Sequence, residues 1–216
     1  MQDLFDLPGE AQAGMESLAE GALVLHGFAV KQATALLAAI AEVGAVAPFR
    51  RMVTPGGYEM SVAMTNCGTA GWVTDRKGYR YARLDPESGK PWPALPPPLL
   101  ALADAAAAMA DYLGFVPDAC LVNRYEPGAR LSLHQDRDEA DYRHPIVSVS
   151  LGLPATFQFG GLKRSDPVKK VPLRHGDVVV WGGPSRLVHH GVLTLKDGDH
   201  PATGRCRFNL TMRKAL

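Results

Sequence analysis

Residues 207–213 read R-F-N-L-T-M-R. Arg207, Asn209, Thr211 and Arg213 occupy alternate positions, with Phe208, Leu210 and Met212 between them. Period-two alternation marks a β-strand with two unlike faces. On an ordinary surface strand the arginine row would be the solvated face. On a strand lining the mouth of a barrel, two guanidiniums and an amide would instead converge on an anion.

Upstream of this strand, short apolar segments recur at intervals of roughly 8–12 residues with turn residues between them, the pattern of a sandwich or jelly roll. They are D-A-C-L-V-N-R-Y (118–125), L-S-L-H-Q-D (131–136), P-I-V-S-V-S-L-G-L (145–153), A-T-F-Q-F-G (155–160), V-K-K-V-P-L (168–173), G-D-V-V-V-W-G-G (176–183) and S-R-L-V-H-H-G-V (185–192). Nearer the start, G-A-L-V-L-H-G-F (21–28) reads as a strand and the Ala- and Leu-rich run 31–43 as a helix. A second helix is predicted after the prolines at 96–98, with Gly114 as its stop signal. Residues 1 to about 20 are expected to wrap the surface. From Pro48 to about Pro98, Gly, Pro, Tyr and Trp cluster, as in hairpins and long functional loops. The expectation is a mixed α/β, mainly β chain: a helix-buttressed double sheet with an aromatic front region.

The chain has 216 residues, 46% of them hydrophobic, and a formal net charge of +1. That is one large globular domain or a domain with a substantial extension, and any nucleic-acid surface must be a local patch. Three scattered cysteines (Cys67, Cys120, Cys206) without a C-x-x-C argue against a disulfide framework or a zinc knuckle. The acidic first residues lack the charge of a signal peptide, and no apolar run nears the ~20 residues that span a bilayer. A soluble cytoplasmic protein with no membrane partner is expected.

His134 and Asp136 stand two residues apart, so on a strand they point to one side and can meet one ion. H-H-G at 189–191 offers a third ligand, and parity alone does not choose between His189 and His190. Two imidazoles and one carboxylate on one face of an octahedron leave three positions open, which suits an iron that binds a co-substrate and dioxygen. Such an iron commonly takes 2-oxoglutarate, whose far carboxylate needs a guanidinium. Arg207 and Arg213 are candidates, with Asn123 and Tyr125 supplying an amide and a phenol from a neighbouring strand. His26, His144, His175 and His200 are expected to be ordinary surface or structural residues.

Four stretches, N-R-Y-E-P-G-A-R-L-S-L-H-Q-D-R-D-E (123–139), 145–161, H-G-D-V-V-V-W-G-G (175–183) and R-F-N-L-T-M-R, resemble the AlkB family of iron(II)- and 2-oxoglutarate-dependent dioxygenases. P-F-R-R-M-V-T-P-G-G-Y-E-M-S-V-A-M-T-N-C-G (48–68) adds a more specific match, and the similarity runs from about Phe49 to Arg213. The resemblance implies a double-stranded β-helix (jelly roll) core, with 1–46 as an extension and supporting helix, 47–92 as a nucleotide-recognition lid, and 93–216 as a helix plus the core. It implies Fe(II) bound by His134, Asp136 and His190, with Asn123, Tyr125, Arg207, Asn209 and Arg213 around 2-oxoglutarate. Arg137 and His189 depart from the family pattern, which has a lysine and an aromatic there.

The implied activity is oxidative demethylation of N1-methyladenine and N3-methylcytosine in single- or double-stranded DNA, with RNA as an alternative. The products are formaldehyde, succinate and carbon dioxide. Those bases are flat and cationic, so a pocket wants aromatic faces and a carboxylate. Trp72 and Tyr79 can stack, Asp138 can face the exocyclic amine and Met64 can pack, while the resemblance places Tyr79 and Arg164 on the substrate side. The methyl lies on the Watson–Crick edge, so the base must be flipped or single-stranded. Thr54, Tyr58, Arg51 and Arg137 are expected nucleic-acid contacts, and Arg50, Arg76, Lys77, Arg80, Lys163 and Arg164 could track phosphates. A monomer is expected. The rivals are an iron dioxygenase of the same fold acting on a protein or small molecule, a zinc hydrolase, which would leave the Arg, Asn and Tyr cluster unexplained, and a non-catalytic nucleic-acid-binding module.

Overall fold

Neither face of the Arg207–Arg213 strand meets water: Phe208 is half-buried and the other residues are buried. The reason lies in the layering seen in a computed structural model, which describes residues 14–216. Along the chain, β1 (Gly14–Ala19) and β2 (Ala22–His26) form a hairpin and α1 (Ala33–Val46) follows. β3 (Arg50–Val53) and β4 (Glu59–Gly68) form a second hairpin, and β5 (Gly71–Asp75) and β6 (Gly78–Ala82) a third. After α2 (Pro97–Ala108) come β7 (Ala119–Tyr125), β8 (Leu131–His134), β9 (Ile146–Gly152), β10 (Ala155–Phe159) and β11 (Lys169–Leu173). The chain ends with β12 (Val178–Trp181), β13 (His190–Val192) and β14 (Arg207–Arg213).

Eight strands make the large sheet in the order β1-β2-β12-β9-β14-β7-β4-β3, and β11-β10-β13-β8 make the facing sheet. β14 lies near the middle of the large sheet, between β7 and β9. Its Leu210 and Met212 pack with Leu36, Ile40, Leu99 and Leu102 of the two helices. Its arginine row therefore points the other way, between the sheets, on the side of the apolar cluster that includes Tyr125, Phe157, Val171 and Trp181. Helices, large sheet and small sheet thus make three layers, and the polar row of β14 is the interior of a jelly roll.

The predicted strands from 118 onward form, the 185–192 stretch only over His190–Val192, and the expected double sheet with buttressing helices is present. Three differences have physical causes. Residues 14–19, expected to wrap the surface, pair with β2 as an edge strand, while the rest of that stretch (1–13) lies outside the described residues. The second helix ends near Ala108 rather than at Gly114, because Asp111 takes a left-handed conformation (φ 64°) and Tyr112 N–H donates back to the Ala107 carbonyl at 2.9 Å. In the 47–92 segment, β4 pairs with β7 from Ala63↔Arg124 to Gly68↔Ala119, so it is an integral strand of the large sheet. β5–β6 in the same segment is a separate two-stranded sheet.

Candidate metal centre

β8 and β13 pair antiparallel with His134 directly opposite His190, so two imidazoles face each other across the small sheet. Their ring centroids are 4.4 Å apart. Asp136, just beyond the end of β8, lies 3.6 Å from Nε2 of each ring. One ligand atom from each of these residues lies within 4.8 Å of the others, close enough that the three could hold a single ion. Gly191 makes the approach possible, because a Cβ there would meet the Leu131 carbonyl at 2.7 Å.

The tautomers are set by backbone. His134 Nδ1 is 2.8 Å from the Ser132 carbonyl and His190 Nδ1 is 3.1 Å from the Val188 carbonyl. A carbonyl only accepts, so each Nδ1 carries the proton and each Nε2 keeps its lone pair for a metal. Burial, followed by the neighbouring His134 ring, lowers the pKa of His190 and favours the neutral ligand form. Burial pushes the Asp136 carboxyl up, but Arg213 and then the two histidines outweigh it and hold it well below the usual range. Of the two adjacent histidines it is His190 that groups with His134 and Asp136, while His189 Nδ1 lies 3.3 Å from the Gly161 carbonyl.

The β7–β14 register aligns Arg207 with Tyr125 and Asn209 with Asn123. Arg207 is 1% exposed and stacks over the Tyr125 ring at 5.0 Å. It donates one bond, Nη2 to Ser150 Oγ at 2.9 Å, while its Nε and Nη1 are buried without partners. Asn123 Oδ1 is likewise buried and unpaired. Asn209 holds the floor, donating to Ser148 Oγ at 2.8 Å and to the Val149 carbonyl at 3.0 Å. A buried guanidinium with unsatisfied N–H groups is costly unless an anion answers it, so the donor set fits a dicarboxylate. The imidazole, imidazole, carboxylate set likewise fits a divalent iron.

Arg213 differs from Arg207 because its donors are engaged. Nε and Nη2 donate to Asp136 Oδ2 at 3.0 and 2.6 Å, and Nε lies 3.4 Å from Glu139 Oε1. Burial lowers its pKa, but Asp136, Tyr81 and Glu139 more than reverse this. Arg213 thus holds the Asp136 carboxylate at the end of the row away from Arg207.

In front, Trp72 and Tyr79 stack with centroids 5.7 Å apart and planes at 18°. Trp72 Nε1 donates to Asp138 Oδ2 at 2.8 Å, which joins the aromatic hairpin to the metal segment. Arg164 reaches the same strand, donating from Nη1 to the Leu133 carbonyl at 2.6 Å. Met64, at 1% exposure, is packed into the inter-sheet core in register with Asn123. Thr54 closes the β3–β4 turn by accepting the Tyr58 N–H at 3.2 Å, leaving Tyr58 77% exposed at the tip. The basic residues divide. Arg50 is paired with Asp85 and Glu87, Arg51 with Glu126 and Arg80 with Asp75. Arg76, Lys77, Arg137, Lys163 and Arg164 are exposed, with no ion pair among the described residues.

Sequence reasoning missed three buried polar residues beside the site. Buried Asn66 accepts the Trp72 N–H and donates to the Trp72 carbonyl, both at 3.0 Å. Glu139 and Arg186 form a buried pair at 3.0 Å, and Arg186 Nη1 also donates to the Asp136 carbonyl at 2.8 Å. Their one sequence signal is closeness to the recognised motifs, since their partners are distant in the chain.

A jelly roll that presents three such ligands at its mouth and an anion-seeking arginine inside is an oxygenase of the kind that pairs iron with a 2-oxo acid. The comparisons agree. The model of the 2OG-Fe(II) oxygenase superfamily matches residues 21–213. Alpha-ketoglutarate-dependent dioxygenase AlkB of Escherichia coli (strain K12) is 59% identical over 212 residues, 98% of each chain. The solved structure of OsALKBH1 superimposes with a TM-score of 0.83 at 28% identity, covering 93% of this chain and 100% of that one. A more distant relative, DNA N(6)-methyladenine demethylase ALKBH1A of Arabidopsis thaliana, is 36% identical over 133 residues, 61% of this chain and 39% of that protein. The chain belongs to the 2OG-Fe(II) oxygenase superfamily and, within it, to the AlkB family. It is an iron(II)- and 2-oxoglutarate-dependent dioxygenase. Among the described residues no helix is long and apolar enough to cross a membrane.

Proposed function

We propose that this dioxygenase removes N-methyl groups from N1-methyladenine and N3-methylcytosine in DNA, with RNA as the alternative substrate. The observation that carries the reading is the near-parallel Trp72–Tyr79 pair, tied through Asp138 to the segment holding Asp136. A flat cationic base meets aromatic faces and a carboxylate there, the combination that stacking, cation–π attraction and charge-assisted hydrogen bonding favour. The alkylated edge of a paired base is inaccessible, so the base enters flipped or from a single strand. The demethylase name of the Arabidopsis relative points to the same chemistry.

Each residue has a part in this reading. His134, Asp136 and His190 hold iron, and their backbone-set tautomers keep both Nε2 atoms free for it. Arg207 binds the far carboxylate of 2-oxoglutarate, with Tyr125, Asn123 and Asn209 around it, and Arg213 fixes Asp136 beside the metal end. When bound, iron with 2-oxoglutarate and dioxygen supplies the oxidation of the methyl group, which leaves as formaldehyde alongside succinate and carbon dioxide. Trp72, Tyr79 and Asp138 orient the base, Met64 backs the pocket from the core, and Arg164 closes its rim. Thr54, Tyr58, Arg51 and Arg137 meet the backbone, with the exposed Arg76, Lys77 and Lys163 adding to salt-dependent affinity. The enzyme acts as a cytoplasmic monomer.

The test is mass spectrometry of a single-stranded oligonucleotide bearing one N3-methylcytosine, incubated with protein, iron(II), 2-oxoglutarate and ascorbate in air. Loss of the methyl that requires both 2-oxoglutarate and His134, with His134→Ala inactive, is expected. Succinate accumulating with the oligonucleotide unchanged would discard the substrate and leave a dioxygenase for another target.

A further inference from the structure

Glu139 is buried and collects three contacts from separate parts of the chain. Its Oε1 accepts the Tyr81 hydroxyl at 2.8 Å and lies 3.4 Å from Arg213 Nε, and its Oε2 accepts Arg186 Nη2 at 3.0 Å. Tyr81 stands on β6 directly opposite Trp72 on β5. Its hydroxyl is also 3.4 Å from Arg213 Nη1, and Arg213 in turn grips Asp136. Burial pushes the Tyr81 phenol well above the usual tyrosine value, with Arg213 opposing, so it remains a hydrogen-bond donor. Adjacent residues thus clamp the two strands of one hairpin: Asp138 takes the Trp72 indole and Glu139 takes the Tyr81 phenol.

We propose that Tyr81 and Glu139 are positioning residues that fix the aromatic hairpin against the metal ligand Asp136. They set where the alkyl group of a stacked base falls relative to the iron. This rests on the reading of the hairpin as the base-binding element. An isolated two-stranded ribbon is marginal in water, so β5–β6 takes its placement from the burial of Val73 in the inter-sheet core together with such side-chain ties. One path from the hairpin to the metal ligand runs through two contacts, Tyr81 to Arg213 and Arg213 to Asp136. A second runs through Glu139 to Arg186, which donates to the Asp136 carbonyl. Reaction geometry is sensitive to such placement, since a misplacement of about 1 Å can cost on the order of a hundredfold in rate.

Tyr81→Phe is the informative variant, because it removes one hydroxyl and leaves the Glu139–Arg186 pair intact. Tyr112→Phe removes a hydroxyl bonded to the Gly21 carbonyl on the far helix side and serves as control. Formaldehyde and succinate are measured together with the methylated oligonucleotide and ascorbate, alongside the affinity of metal-free protein for methylated and unmethylated oligonucleotides. Tyr81→Phe is expected to lower formaldehyde per succinate and to weaken binding of the methylated strand about fivefold, the worth of one ordinary hydrogen bond. Binding of the unmethylated strand and the melting temperature stay near wild type. Glu139→Gln, which keeps an acceptor but removes the charge beside Arg186 and Arg213, should shift the same ratio further. An unchanged ratio with unchanged methylated-strand affinity in Tyr81→Phe would overturn the proposal. So would a parallel fall in both products with a lowered melting temperature, which marks a merely structural role. If wild type itself leaves the methyl in place, the substrate reading fails instead.

Discussion

His190, Arg207 and Asn209 sit on strands flanked on both sides by partners, and His134 faces His190 across a backbone ladder. Trp72, Tyr79 and Tyr81 sit on a separate two-stranded ribbon, held by side chains of Asn66, Asp138 and Glu139. The first region is specified by register, where a one-residue slip would turn every ligand out of the barrel. The second is anchored by Val73 in the core and oriented by a few hydrogen bonds that can be removed one at a time. Chemistry and recognition should therefore respond to substitution in separable ways.

The largest effect falls on the ligands. Asp136→Ala should abolish iron binding and turnover, exceeding the roughly 10–100-fold loss typical of an outer-sphere partner. Metal titration of the variant checks this, and retained iron affinity would break the assignment. Next comes Arg207→Ala, which removes a buried guanidinium with two unpartnered donors. The KM for 2-oxoglutarate should rise roughly 10–150-fold, as expected for a charged hydrogen bond, with oligonucleotide affinity unchanged.

On the recognition side, Trp72→Ala should weaken binding of the methylated strand by about 1–3 kcal/mol, the worth of one stacked base, and leave the 2-oxoglutarate KM alone. Arg137→Ala should act more weakly still. It lowers affinity for methylated and unmethylated strands alike and reduces the slope of log K against log salt by about one phosphate contact, measured by anisotropy across a salt series. The smallest effect is on the hairpin itself. The Arg80 side chain, then the Lys77 N–H, hold the exposed Asp75 carboxyl at about 2 rather than 3.8. Its folded value lies below its unfolded one, so its contribution to hairpin order is complete above about 3.8 and is lost as pH falls through about 2. Amide exchange across β5–β6 at low pH should rise in the wild type, and Asp75→Asn should flatten that dependence.

The two regions also differ in how far they could be read from the chain. The metal pair His134 and Asp136 obeys the period of a strand, and the arginine row of β14 announces a two-faced strand, so local periodicity carries both. Choosing His190 over His189 needed either the family resemblance or the structure, because the strand begins only at His190 and Gly191 is what lets it approach β8. Parity placed Arg207 and Arg213 on one face but could not see that Arg213 is engaged by Asp136 while Arg207 is free. Asn66, Glu139 and Arg186 were not legible, because their roles are set by partners between six and 74 residues away. The basic residues of the front region look alike in sequence. Only the structure shows that Arg50, Arg51 and Arg80 already face carboxylates.

The most direct test of the division between the two regions is a paired measurement on Arg207→Ala and Trp72→Ala: the KM for 2-oxoglutarate and the affinity for an N3-methylcytosine oligonucleotide. The expected result is a crossed pattern, with Arg207→Ala moving only the first constant and Trp72→Ala only the second. If Trp72→Ala raises the 2-oxoglutarate KM as strongly as Arg207→Ala does, the hairpin is part of the cofactor site and the separation of chemistry from recognition is wrong.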